Sequence, residues 1–122
     1  MKLIYFFFFI LAKQTLSYTV PDKKYCGNIF NNPITLDFDK NTNLVNVSAS
    51  IFDNNYACNN EEYQYNNIDN YIEMPSDSND CLNLILEKYN LCPCPPDILY
   101  NNNSNLIKIK NNQLSDIILE QC

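Results

Sequence analysis

The residues best suited to chemistry in this chain are six cysteines, Cys26, Cys58, Cys81, Cys92, Cys94 and Cys122. Two of them sit in NLCPCPPDILY, where only Pro93 separates Cys92 from Cys94. Thiols at such spacing can hold a metal, exchange electrons or cross-link the backbone. A structural zinc site uses spacings such as C-x2-C with two further ligands close by, and C-P-C in a chain without histidine does not supply it, so no metal site is expected. A redox pair wants an accessible thiolate beside cations or a helix N-terminus. Cys92 follows the C-terminus of an expected helix, where the dipole opposes that charge.

Cross-linking remains. An even cysteine count in a short chain with a secretory leader reads as a disulfide framework. A helix from Cys81 to Leu91 would hold Cys81 roughly 16 Å from Cys92 at 1.5 Å per residue, beyond bonding reach, and a Cys92–Cys94 ring is small. Each of Cys81, Cys92 and Cys94 is therefore expected to bond to one of Cys26, Cys58 and Cys122. This retains six of the 15 connectivities that six cysteines permit.

Other chemistry is sparse. The absence of histidine removes the commonest general base, together with the serine and cysteine nucleophile arrangements that depend on it. Glu61 and Glu62 are adjacent and would face opposite sides of a strand, so a paired-carboxylate mechanism has no candidates there. The chain is read as not an enzyme, with no catalytic residue and no cofactor. Asp37, Asp39, Asn41 and Asn43 match the first four ligand positions of a calcium loop. Thr42 stands where that loop needs Gly, however, and Ser48 where it needs the bidentate Glu, so a hairpin turn is the better reading. Asn46 in NVS and Asn102 in NNS fit the N-glycosylation acceptor pattern. Tyr63, Tyr65 and Tyr71 are interleaved with Asn, Glu and Gln, a composition found in protein-contacting surfaces, although Tyr63 and Tyr65 on one strand face would equally pack on a core.

The segment MKLIYFFFFILAKQTLS has a lysine, an apolar run from Leu3 to Leu11 and then polar and small residues, the layout of a secretory signal peptide. The run is too short to span a bilayer, which takes roughly 20 apolar residues. Residues 1–17 are thus expected to be removed, leaving 18–122 as a single secreted domain with no membrane anchor. Without Lys2 and Lys13, six lysines face 14 carboxylates, and 6 minus 14 gives a mature charge of −8. Nucleic acid is excluded as a partner, because so acidic a chain cannot displace its counterions.

The elements that would position these residues follow from periodicity. ITLDFD and LVNVSASIF alternate around KNTN and read as a β-hairpin with a loop of about four residues. Strands are expected around EEYQY, NYIEM, DILY, LIKIK and DIILE, the last ambiguous because Leu114, Ile117 and Ile118 also suit a short helix. Between them, SDSNDCLNLILEKYNL changes to helical period. The spacing predicts a helix over about 79–91, with Ser76, Asp77 or Ser78 available as a cap and Pro93 enforcing the stop. The 22 asparagines belong to a composition, with Lys, Ile, Tyr and Phe, favoured by AT-rich codons. They are read as turn residues, since Asn tolerates positive φ where other chains use Gly. The expected fold is α+β: a small β-rich, disulfide-stapled domain in which an antiparallel sheet packs on one helix. The expected function is a secreted binding module for an extracellular protein, with a proteinase inhibitor presenting CPCPP as a special case. The rival is a carrier of a small apolar ligand inside a curled sheet.

Overall fold

The computed structural model describes residues 21–74, 81–112 and 115–122. The expected leader at 1–17, the cap at Ser76–Ser78, the first two residues of the expected helix and Leu114 lie outside them.

Nine antiparallel strands form a single sheet: β1 (Lys24–Ile29), β2 (Asn32–Asp39), β3 (Leu44–Ile51), β4 (Asn54–Glu62), β5 (Gln64–Asn66), β6 (Tyr71–Glu73), β7 (Ile98–Asn101), β8 (Leu106–Ile109) and β9 (Ile117–Gln121). Among the described residues one helix, α1 (Cys81–Lys88), falls between β6 and β7. The strand order is β4-β3-β2-β1-β9-β8-β7-β6-β5. The first and last strands of that order, β4 and β5, are separated in the chain by Tyr63 alone. The sheet is therefore a near-barrel: β4 pairs with β3, and one residue later the same stretch of chain pairs with β6.

Period-2 alternation determines what lies inside. Ile34, Leu36 and Phe38 of β2 and Val45, Val47, Ala49 and Ile51 of β3 are buried, while Asp37, Asp39, Asn46 and Ser48 face solvent. The expected hairpin forms as read, with Asp39 opposite Leu44 across residues 40–43. Ile98, Tyr100, Ile107, Ile109, Ile117 and Leu119 line the other half. The ambiguity at the C-terminus resolves to strand, because Ile117 and Leu119 alternate with exposed Ile118 and Glu120. Strand β1 and the first half of β4 were not expected. KYCGNI buries only Tyr25 and Ile29, and β4 has no fully buried residue, so neither carries a clear alternating signal.

Helix α1 buries Cys81, Leu82, Ile85 and Leu86 and is tied to β4 through Cys58–Cys81. It ends three residues earlier than the periodicity suggests. Asn90 adopts φ 56°, its N–H donates to the Glu87 carbonyl at 3.2 Å, and the Leu91 N–H donates to the Leu86 carbonyl at 2.7 Å. This is a Schellman cap with Asn in the position usually held by Gly. Leu91, though outside the helix, is fully buried, which is why it kept the apolar rhythm in the sequence. Asn repeats that role: six of the nine non-glycine residues with positive φ among the described residues are asparagines.

The disulfides correct the expected pairing. They are Cys26–Cys122, Cys58–Cys81 and Cys92–Cys94, with Cα separations of 5.6, 5.7 and 4.7 Å. Only Cys58–Cys81 belongs to the expected set. The elimination went wrong by excluding a Cys92–Cys94 ring; both Cα atoms lie within ordinary bonding range once the chain bends at Pro93. That pairing leaves the two terminal cysteines to each other. In chain-entropy terms Cys26–Cys122, spanning 96 positions, contributes about 4–5 kcal/mol and Cys58–Cys81, spanning 23, about 3 kcal/mol.

Candidate functional site

One end of the barrel is closed by aromatic rings meeting edge to face. Tyr65–Tyr100, Tyr100–Tyr25, Tyr25–Phe38 and Phe38–Tyr63 have centroid separations of 5.6, 6.1, 6.0 and 5.0 Å. Their hydroxyls are satisfied internally: Tyr63 donates to the Pro21 carbonyl at 3.0 Å and Tyr25 to Asn105 Oδ1 at 2.6 Å. Burial pushes the Tyr63 phenol up to about 12 and raises that of Tyr25 as well.

This places the three tyrosines singled out in the sequence. Tyr63 is a core residue, 3 % exposed, and cannot contribute to a contact surface. Tyr65 lies opposite Ile72 on the inward face and donates to Asn70 Oδ1 at 2.9 Å. Tyr71, one residue before Ile72 and so on the outer face, donates to Asp97 Oδ1 at 2.8 Å; burial and then that carboxylate push it up to about 12. The three do not form one surface.

The exposed aromatic surface is at the other end, built by two turns of the same design. Ile29-Phe30-Asn31-Asn32 and Ile51-Phe52-Asp53-Asn54 each place a buried Ile at the end of one strand and an Asn at the start of the next. The two central residues have positive φ: 51° and 65° at Phe30 and Asn31, 50° and 67° at Phe52 and Asp53. Positive φ at both positions is the two-residue hairpin geometry that normally selects Asn-Gly or Asp-Gly. A bulky side chain there is a conformational outlier. Both phenylalanines are nonetheless exposed, at 40 % and 56 %, and they stack on each other at 5.8 Å and 25°.

Tyr89, just beyond α1, and Tyr56 of β4 continue the cluster inward, both half-buried and packed against the core. Phe52 and Tyr89 are 6.0 Å apart and Tyr56 and Tyr89 6.4 Å, with the two hydroxyls at 2.9 Å. Lys88 Nζ lies 5.5 Å from the Tyr56 ring centre and 5.8 Å from that of Tyr89, within cation–π range. The ammonium lowers the Tyr56 phenol from its ordinary value and is itself raised by it, while Tyr89 is raised by its hydrogen bond with Tyr56. The result is a ridge of four rings and one cation. Sequence reasoning missed it, although the signal was present in the repeated Ile-Phe-Asx-Asn tetrad.

The other sequence-marked residues are elsewhere. Asn46 is exposed on β3 at a bulge, where its Oδ1 accepts the Asn60 N–H at 2.8 Å. Asn102 is exposed in the β7–β8 turn. In the loop after α1, Pro95 is exposed while Pro96 is buried and Cys92, Pro93 and Cys94 are half-buried. Asp39 Oδ1 accepts the Asn41 N–H at 2.9 Å, so these two members of the acidic hairpin form a turn with each other. Among the described residues no three His, Cys, Asp or Glu side chains are grouped to hold a metal ion, and no helix is long and apolar enough to cross a membrane.

The molecule so defined is a small disulfide-stapled near-barrel with an exposed aromatic ridge at one end. No family model matches the chain, and neither a curated protein nor a solved structure matches it.

Proposed function

We propose that this chain is a secreted binding module that engages an extracellular protein through the Phe30–Phe52–Tyr56–Tyr89 ridge. One observation carries the reading: two exposed phenylalanines occupy backbone positions that disfavour them and stack there. Outliers of that kind cost on the order of 1–3 kcal/mol each, and they persist where a site requires the side chain. Aromatic residues are enriched at the cores of protein contacts and among their hot spots. The disulfides and the acidic charge, −6 for the full sequence and −8 without residues 1–17, suit a soluble extracellular protein. The CPCPP loop is a weaker presenting segment than the ridge, because only Pro95 in it is exposed.

The carrier reading lacks comparable support. The inward side chains form one continuous apolar cluster, and two surface depressions of about 440 and 430 Å³ both carry polar rims, Glu62, Gln64 and Glu73 at the first and Asp69, Asn101 and Lys108 at the second. The test is a pull-down from the protein's natural surroundings with the native chain and a Phe30→Asn/Phe52→Asn variant, lipid being analysed in the same samples. A protein retained by the first and lost with the second supports the module. A stoichiometric lipid retained by both, without a protein, replaces it with the carrier.

A further inference from the structure

Two of the three disulfides join elements distant in sequence: Cys26–Cys122 ties β1 to the chain end beyond β9, and Cys58–Cys81 ties β4 to α1. Cys92–Cys94 joins no two elements, since its partners are two residues apart in one loop. The loop is also held without it. Leu91 is fully buried, the Cys92 carbonyl accepts the Asn112 N–H at 2.9 Å, Pro96 is buried, and the Asp97 carbonyl accepts the Lys110 N–H at 3.0 Å. Opening this bond therefore releases almost no chain, and closing so short a loop removes the least entropy from the unfolded state.

A cystine that staples nothing, in a loop fixed on both sides and with both residues half-exposed, retains the chemistry of a thiol pair without being needed for folding. We infer that Cys92–Cys94 is a thiol–disulfide exchange site, reversibly reduced by low-molecular-weight or protein thiols while the fold stays intact. The electrostatic objection from the sequence lapses. Helix α1 ends at Lys88, and its terminal carbonyls at Leu86 and Glu87 are occupied by the N–H groups of Leu91 and Asn90. A helix dipole acts only within the last turn.

The exchange balances with two thiols as the named reductant. A donor thiolate attacks one sulfur of the pair, forming a mixed disulfide and expelling the other as a thiolate that takes a proton from water. A second donor thiol then attacks the donor sulfur of the mixed disulfide. The donor leaves as a disulfide, and two electrons and two protons have passed to Cys92 and Cys94. Run backwards, the reduced pair gives two electrons and two protons to a disulfide substrate and closes again.

The probe is reduced glutathione, titrated against the folded native protein, followed by alkylation and peptide mapping. The inference expects Cys92 and Cys94 to be labelled together at a glutathione level that leaves Cys58–Cys81 closed. It also expects the near-ultraviolet circular dichroism to be unchanged and oxidised glutathione to restore the bond. Labelling of Cys58 and Cys81 at the same level, or loss of the fold on labelling, overturns it. Because Cys122 is exposed, Cys26–Cys122 is a competing target for the same reductant, and a Cys26→Ser/Cys122→Ser variant, titrated in parallel, should retain the Cys92–Cys94 response. A Cys92→Ser/Cys94→Ser variant separates this role from a structural one. Its thermal midpoint should stay close to that of the native protein, and a fall as large as that caused by Cys58→Ser/Cys81→Ser would make the pair a staple.

Discussion

Phe30 and Phe52 lie 22 positions apart in the chain, yet their rings stack at 5.8 Å because the turns that carry them are tied together: the Phe52 N–H donates to Asn32 Oδ1 at 3.2 Å. Stability alone does not account for this pairing. An exposed stack contributes on the order of 0.5–1.5 kcal/mol, less than the summed cost of holding two such rings at positive φ, on the order of 1–3 kcal/mol each. Phe52→Asn should therefore leave the unfolding free energy within about 1 kcal/mol of the native value, or raise it, since Asn is suited to the turn. Urea unfolding would show it, and a loss well above 2 kcal/mol would mean that the ring is a structural element.

Gly27, the only glycine, serves close approach and not backbone freedom, since its φ is not positive. A Cβ there would stand 2.6 Å from both the Ile118 carbonyl oxygen and Leu119 Cδ2, in the β1–β9 seam that joins the two halves of the sheet. The backbone oxygen cannot move aside without disturbing the ladder. Gly27→Ala should cost about 1–3 kcal/mol, measured as a lower urea midpoint with an unchanged slope.

The αL residue at the end of α1 gives a prediction of opposite sign for two substitutions at one site. Asn90→Ala places a Cβ at φ 56° without the amide and should destabilise by about 1 kcal/mol, whereas Asn90→Gly should be neutral or stabilising. Thermal midpoints of the two variants decide the matter, and equal midpoints would contradict the cap.

Alkaline behaviour follows from the buried phenols. Tyr63 and Tyr71 are raised from 10.0 to about 12, and Tyr25 is raised as well. In the interval between pH 10 and 12 the unfolded chain has lost these protons and the folded one has kept them. The folded state binds more protons, so stability is fully present below pH 10 and falls as pH rises towards 12. Phenolate absorbance should titrate in two groups. Tyr56, lowered by Lys88, belongs to the early group, and Tyr63 should ionise only with unfolding. Ionisation of all tyrosines in one step near pH 10 would contradict the packing.

Much of the barrel was legible in the sequence because strands with one wet face alternate visibly: Ile34–Leu36–Phe38 against Thr35–Asp37–Asp39 is such a pattern, and the helix was found by its change of period. Strand β1 was missed because Cys26 and Gly27 are half-buried and break the alternation, and β4 because its inward side meets α1 through Tyr56 and Cys58 instead of a row of aliphatics. Disulfide pairing was not legible, since sequence distance says nothing about where a turn at Pro93 brings two sulfurs. The ridge was hidden for a related reason. Phenylalanine in a two-residue turn contradicts turn chemistry, so Phe52 read as the end of the strand LVNVSASIF and Phe30 fell in no expected element, while the tyrosines of a contact surface were sought in the Tyr-rich segment, where Tyr63 is buried.

The central claim is that the ridge is the contact surface, and site-specific photo-cross-linking tests it most directly. A photoreactive phenylalanine replaces Phe52 in one sample and, as a control, Ile68, which is 86 % exposed in the β5–β6 turn. Both proteins are then illuminated in the protein's natural surroundings. The account predicts one discrete protein adduct from position 52, none from position 68, and competition by unlabelled native protein. The Phe30→Asn/Phe52→Asn variant should compete at least about 30-fold more weakly, the equivalent of one hot-spot residue at 2 kcal/mol. The same adduct from both positions, or equal competition by the variant, would contradict it.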